Sequence, residues 1–184
     1  MHERLITFGK AKTPPQALDA AERKPDFWVG GEPTTIEWSE ADQLATSARF
    51  RDFKATWKHV DDAPGLDIWD NAKEVLLGDR VCLEGDCASF VPEFARLLME
   101  DGRPRGALRP VLCTMGRQAH MVLSIETDMG TLIACNLIGL GWLEDNRLAR
   151  HKWAARHVPG AENAWEDLSA PKIVGLDQLL KGQG

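Results

Sequence analysis

The sequence predicts an α+β fold in which one amphipathic helix precedes an antiparallel β-sheet. Between residues 86 and 101, apolar side chains recur at helical spacing, and Gly102 provides a stop. Three strand-like runs follow, at residues 107–115, 119–126 and 131–138. Because these strands follow the helix and one another, we expect the helix to pack on an antiparallel sheet, not to alternate with parallel strands.

The remaining segments complete a single predicted domain over residues 1–184. Residues 1–38 are rich in proline, glycine and charge, and are expected to form an irregular N-terminal arm. A long helix is predicted over residues 39–60 and a short helical turn over 75–77. Residues 39–184 then hold the core and a C-terminal tail. We expect the tail to be helical or irregular.

Composition excludes several classes of function. Apolar residues make up 43% of the chain, charged residues 27%, and the formal net charge is −6 with no basic block, which disfavours nucleic-acid binding. No apolar run is long enough to insert into a membrane, and the first residues lack a secretory signal. The four cysteines form no CxxC pair and indicate no disulfide framework. These features favour a cytoplasmic protein.

Cys87 and His120 are the residues that best fit a chemical role. Gly85 and Asp86 precede Cys87 where a loop turns into the predicted helix, so glycine permits a tight turn and the aspartate can cap the helix. The positive end of a helix favours a thiolate, and a histidine on a nearby strand can accept the thiol proton. The sequence therefore predicts a Cys87–His120 pair, although either residue alone is common in a buried core.

Short motifs around this pair occur in a definite order along the chain. They are Asp67-Ile68-Trp69, Glu74, Gly85-Asp86-Cys87, Gly102, Leu108-Arg109-Pro110-Val111, His120-Met121-Val122-Leu123, Gly130 and Cys135-Asn136. That order resembles the bacterial transglutaminase-like cysteine proteinases, the family of periplasmic adhesin-cleaving proteases, over roughly residues 66–165. The resemblance implies a papain-like or transglutaminase-like core, with Cys87 as nucleophile and His120 as general base.

The third catalytic position departs from the family pattern. The family has Leu-Asp-Asn on the strand after the histidine, whereas this chain has Ala134-Cys135-Asn136. A hairpin loop of two or four residues would place Cys135 on the His120 face, and a loop of three or five would place Asn136 there. Asn136 would give the Cys-His-Asn set of papain-like proteases. The segment 143–146 is a competing source of an aspartate.

Other site residues follow from the same resemblance. Trp69 is expected to line the acyl-binding cleft or the oxyanion site, with buried packing as the simpler alternative, and Asp86 flanks the nucleophile. Family members that use calcium carry acidic residues after the cysteine, but this chain has Ala88 and Ser89 there, so we expect no calcium, no other metal and no cofactor. Pro92 falls inside the predicted nucleophile helix and is expected to kink it or to delay its start.

The remaining histidines have simpler interpretations. His59 is expected to end the long helix, and His151 and His157 to lie in a basic, solvated helix face. The spacings of histidine and cysteine match no common zinc site.

Two functions remain open from the sequence. The first is a thiol-dependent hydrolase of amide or peptide bonds, with Cys87, His120 and either Asn136 or Cys135 as its catalytic residues. The second is a catalytically impaired module with a structural or binding role, because the family aspartate is replaced. Transglutaminase-like folds of this size also occur as phage-encoded, tail-associated proteins, which would place the protein in a virion. The expected partner is a protein or peptide substrate, or a partner protein.

Overall fold

The computed structural model describes residues 31–61, 72–116, 118–161, 164–168 and 173–175. The described residues form a mixed α+β structure, which confirms the predicted class. Its helices are α1 (Trp38–Thr46), α2 (Ala48–Ala55) and α3 (Cys87–Glu100). Its strands are β1 (Trp57–His59), β2 (Lys73–Leu77), β3 (Arg80–Gly85), β4 (Leu108–Met115), β5 (Gln118–Thr127), β6 (Gly130–Cys135), β7 (Gly139–Trp142), β8 (His151–His157), β9 (Ala164–Asp167) and β10 (Ile173–Gly175).

The described strands form two sheets. The larger is antiparallel, with seven strands in the order β10-β9-β8-β4-β5-β6-β7. The smaller has three strands in the order β1-β3-β2, and β1 runs parallel to β3. Strand β3 leads directly into α3, so the small sheet positions the start of this helix next to the large sheet.

Helix α3 packs against the large sheet, chiefly on β5. Its inward side chains include Phe90, Phe94 and Leu98, each at most 1% exposed. They meet apolar residues of β5 such as Met121 and Leu123, which are also fully buried. The helix predicted over residues 86–101 is therefore confirmed, and it forms one side of the main core.

The opposite face of the large sheet carries a second, smaller core. Side chains alternate along a strand, so the residues between those that face α3 point to this other side. They include Val111, Cys113, Val122, Ile133 and Cys135, which are at most 2% exposed. The large sheet is therefore apolar on both faces, and its central strands have buried side chains in every position from Met121 to Ile125.

The β5–β6 hairpin has a two-residue loop. Glu126 pairs with Thr131, and Thr127 pairs with Gly130, so Asp128 and Met129 form the loop. Gly130 has φ +153°, a backbone conformation that a side chain would strain. The predicted hairpin is confirmed, and its loop length is the one that places Cys135 on the His120 face.

The long helix predicted over residues 39–60 is wrong in two respects. Ser47 is extended and interrupts it, because its hydroxyl caps the second helix by accepting a hydrogen bond from the N–H of Phe50 at 3.2 Å. The chain then leaves the second helix at Thr56 and enters β1, which aligns with β3 at Trp57↔Leu83. His59 consequently ends a strand and not a helix.

The structure also corrects two other predicted segments. Residues 75–77 form part of β2, paired with β3 through Val75↔Cys82 and Leu77↔Arg80, and not a helical turn. The tail, predicted to be helical or irregular, contains β8, β9 and β10 and extends the large sheet from β4. Among the described helices, none is both long and apolar enough to cross a membrane.

Candidate functional site

Cys87 is the first residue of α3, as the sequence predicts. Asp86 caps the helix, because its carboxylate accepts hydrogen bonds from the N–H of Ser89 at 2.9 Å and from the Ser89 hydroxyl at 3.2 Å. Gly85 is required for close approach, since a Cβ at this position would lie 2.7 Å from the Cβ of Ser89. Pro92 lies inside the helix, which nevertheless begins at Cys87.

The thiol of Cys87 lies against strand β5, next to His120 in the sequence of that strand. The backbone amide of Met121, the residue that follows His120, lies close enough to the thiol to oppose the rise of its pKa. Cys87 is 8% exposed. Burial is the main cause that raises the pKa of the Cys87 thiol, and the nearby Asp86 carboxylate raises it further. The resting thiol is therefore neutral.

The ring of His120 is directed to Cys135. Its Nε2 lies 3.2 Å from the Cys135 Sγ, a hydrogen-bonding distance, and both residues are buried. Among the hydrogen bonds of the described residues, none joins the His120 ring to Cys87. Burial, together with the neighbouring His151 and His59, lowers the pKa of His120 to about 3, so the imidazole is neutral.

Cys135 faces His120, as the two-residue hairpin loop requires. Its Sγ also accepts a hydrogen bond from the backbone N–H of Ile138 at 3.5 Å. Burial raises the pKa of the Cys135 thiol, whereas backbone N–H groups and the nearby Lys54 ammonium oppose that rise. Burial outweighs these contacts, so the resting Cys135 thiol is neutral.

Asn136 points elsewhere. Its Nδ2 lies 3.0 Å from Nδ1 of His59, and Nε2 of His59 lies 3.0 Å from a carboxylate oxygen of Asp61. Asn136 is 1% exposed, and no described group hydrogen-bonds its side-chain Oδ1. The Cys-His-Asn set that the alternative register would give is therefore not the one this hairpin assembles. The structure instead brings His59 to the site, which the sequence interpretation missed because it placed His59 at a helix end.

His151 is the second residue that the sequence interpretation missed. It begins β8 and is 6% exposed, and its Nε2 lies 4.0 Å from the Cys135 Sγ. The centre of its ring lies 5.6 Å from the centre of the His120 ring. The His151 ring also stacks on the Trp153 ring, with the two ring centres 5.2 Å apart. The predicted solvated basic helix face is wrong, because His151 and His157 are both buried on a strand. Alternation of the buried His151, Ala155 and His157 with Lys152 and Arg156 is the pattern that could have indicated a strand.

The other predicted site residues have different outcomes. Trp69 and its flanking residues lie outside the described part of the chain. The competing aspartate, Asp145, accepts a hydrogen bond from the backbone N–H of Arg147 and pairs with its guanidinium at 2.7 Å on the surface. Cys82 and Cys113 are buried free thiols.

A cleft of about 440 Å³ lies away from this cluster. It is lined in part by Arg109 and Glu126. Glu126 is six residues along β5 from His120, a separation of roughly 20 Å for an extended strand. The cleft therefore does not give access to the Cys87 thiol.

No family model, curated protein or solved structure matches this chain.

Proposed function

We propose that this protein is a thiol-dependent hydrolase of amide or peptide bonds, of the transglutaminase-like type, with Cys87 as its nucleophile. One observation carries the proposal: Cys87 opens α3 and its thiol contacts the backbone of β5 at the residue after His120. Thiol hydrolysis also needs the histidine ring within hydrogen-bonding reach of the thiol. The proposal therefore requires the His120 ring, which contacts Cys135 and alternates with the α3-facing Met121, to reach Cys87 during the reaction. The core around it, a helix followed by antiparallel strands, is consistent with a papain-like fold.

The proposed roles follow from the contacts of each residue. Cys135 holds Nε2 of His120, which leaves Nδ1 as the ring nitrogen that would take the Cys87 proton. Cys135 therefore replaces the family aspartate as the positioning residue. Because the thiol and the imidazole are both neutral at rest, His120 would have to remove the proton as the sulfur attacks, as a general base does. Its lowered pKa makes it a weak base in the resting structure.

The proposed reaction balances as two acyl transfers. The Cys87 sulfur bonds to the acyl carbon while its proton moves to His120. The C–N bond then breaks, and the same proton leaves with the amine. Water next attacks the thioester, His120 takes and returns a proton, and the products are a carboxylic acid and the free Cys87 thiol.

A second candidate is a non-catalytic module with a structural or binding role, including a tail-associated phage protein. The observation that favours it is burial: Cys87 is 8% exposed and His120 5% exposed. A substrate acyl group would need access to both. The direct contact of His120 with Cys135 is compatible with either candidate.

Hydrolysis of a mixture of short random-sequence peptides separates these candidates. We expect the wild-type protein to release new amino groups and the Cys87→Ala variant to release none above background. The Cys82→Ser variant is the matched control, since it also removes one buried thiol, and it should keep the wild-type rate. Equal release by the wild type and by Cys87→Ala, or no release by either, would favour the non-catalytic module.

A further inference from the structure

Three buried side chains from three strands converge at one point of the large sheet. They are His120 of β5, Cys135 at the end of β6, and His151 at the start of β8. Their ligand-type atoms, Nε2, Sγ and Nε2, all lie within 4.8 Å of one another. Each residue is at most 6% exposed. Nitrogen and sulfur donors brought together in this way are the set that zinc prefers.

From this convergence we propose that His120, Cys135 and His151 form a mononuclear site for a zinc-class transition-metal ion. The site shares His120 and Cys135 with the proposed hydrolase but not its nucleophile, because Cys87 is not a ligand. A metal on Nε2 of His120 would leave the ring proton on Nδ1, so the metal-bound form would lack the proposed base.

The spacing of the donor atoms fits tetrahedral coordination. Zinc–sulfur bonds of about 2.3 Å and zinc–nitrogen bonds of about 2.0–2.1 Å place tetrahedral sulfur and nitrogen ligands about 3.5 Å apart. The two sulfur–nitrogen separations here are 3.2 Å to His120 and 4.0 Å to His151. They lie on either side of the ideal value. The separation of the two histidine nitrogens is within 4.8 Å and would have to approach the roughly 3.4 Å of tetrahedral nitrogen ligands.

A hydrogen bond to the ring nitrogen of His151 that would not bind the metal orients this residue as a ligand. Its Nδ1 lies 3.2 Å from the backbone carbonyl oxygen of Leu148. A carbonyl oxygen only accepts, so Nδ1 carries the proton and the Nε2 lone pair points to the Cys135 sulfur. Metal-binding histidines are typically held by an outer hydrogen bond of this kind. Stacking on Trp153 further fixes the ring plane.

Two groups near Cys135 would stabilise a metal-bound thiolate. Metal binding would displace the thiol proton. The resulting negative sulfur would keep its hydrogen bond from the N–H of Ile138, with Lys54 contributing positive charge nearby. Three protein ligands leave a fourth position for water or another small ligand, as in zinc sites that are not purely structural.

Cobalt(II) titration of the reduced, tag-free protein tests this site. We expect one Co²⁺ to bind per chain, with a thiolate-to-cobalt charge-transfer band in the near ultraviolet, and Zn²⁺ to displace it. Cys135→Ser should lose the band, and His151→Gln should lower Zn²⁺ affinity by more than the ~10–100-fold typical of losing an outer hydrogen-bond partner. Cys82→Ser and Cys87→Ala are matched controls and should retain the band.

The contrary results are equally definite. Absence of stoichiometric Co²⁺ binding, or a band that survives in Cys135→Ser but disappears in Cys87→Ala, would overturn the site.

X-ray absorption on the Zn²⁺-loaded wild type is a second test. It uses no variant, so misfolding of a variant cannot affect its result. It should show one sulfur at about 2.3 Å and nitrogen ligands at about 2.0–2.1 Å. A shell without sulfur, or with several sulfurs, would contradict the proposal. Cys87→Ala separates the two proposals, since it should lose peptide hydrolysis and keep the metal.

Discussion

Replacing His120 with glutamine should slow the acylation of Cys87 by ~10²–10⁴-fold, the contribution typical of a positioned general base. Glutamine can still hydrogen-bond to Cys135, but it cannot accept the Cys87 proton at neutral pH. The measurement is the single-turnover release of p-nitrophenolate from p-nitrophenyl acetate, followed with a chelator present so that bound metal does not affect the rate.

His151→Gln is the matched control for this prediction. His151 is buried beside the same Cys135 sulfur, so the two variants perturb the packing of the cluster to a similar degree. His151 has no role in the proposed proton transfer, and we expect its replacement to change the acylation rate less than about tenfold. Equal losses in the two variants would show that the cluster supports the fold and that His120 is not the base.

Replacing Phe90 with alanine should lower the free energy of unfolding by about 3–5 kcal/mol. Phe90 is fully buried, and its ring packs edge-on to Trp57 at 5.2 Å and lies near Phe53 and Phe94 at 5.5 and 5.8 Å. The substitution leaves a cavity and removes these aromatic contacts. It lies one turn after Cys87, so it should also loosen the helix start that positions the thiol.

Urea unfolding monitored by tryptophan fluorescence measures this loss. Leu76→Ala is the control, because Leu76 is 73% exposed on β2 and its removal should change stability by less than about 0.5 kcal/mol. A loss below about 1 kcal/mol for Phe90→Ala would contradict the packing of α3 described above.

The parts of the fold that depend on local sequence could be predicted. The α3 helix follows from the apolar spacing of Phe90, Phe94 and Leu98 and from capping by Asp86, all of which lie within the same short segment. The β5–β6 hairpin follows from its turn residues and flanking apolar runs. The placement of Cys135 on the same face as His120 then depends only on the loop length.

The errors arise where tertiary contacts outweigh the local pattern. Ser47 can continue a helix or cap a new one, and packing of Phe50 in the core accompanies the second outcome. Strand β2 exposes Leu76 and Leu77, so its sequence shows no buried face, and pairing with β3 alone defines it. In β8, basic residues alternate with buried ones, and their charge resembled that of a solvated helix.

The candidate site was only partly predictable for the same reason. Cys87, His120 and Cys135 lie within one continuous helix-and-hairpin region, so local patterns relate them. His151 reaches the cluster because β8 pairs with β4, and β4 pairs with β5, which is information about sheet order. His59 reaches Asn136 only because β1 joins β3 in a separate sheet. Neither neighbour follows from sequence spacing.

The most direct test of the proposed hydrolase is the location of a trapped acyl group. The protein is treated with p-nitrophenyl acetate, quenched in acid and digested, and the acetylated cysteine is identified by mass spectrometry. We predict a single thioester on Cys87 in the wild type and in Cys82→Ser, and none on Cys87 in His120→Gln at the same reaction time. An acetyl group on Cys135 in place of Cys87, or no acetylated cysteine in the wild type, would contradict the assignment of Cys87 as the nucleophile.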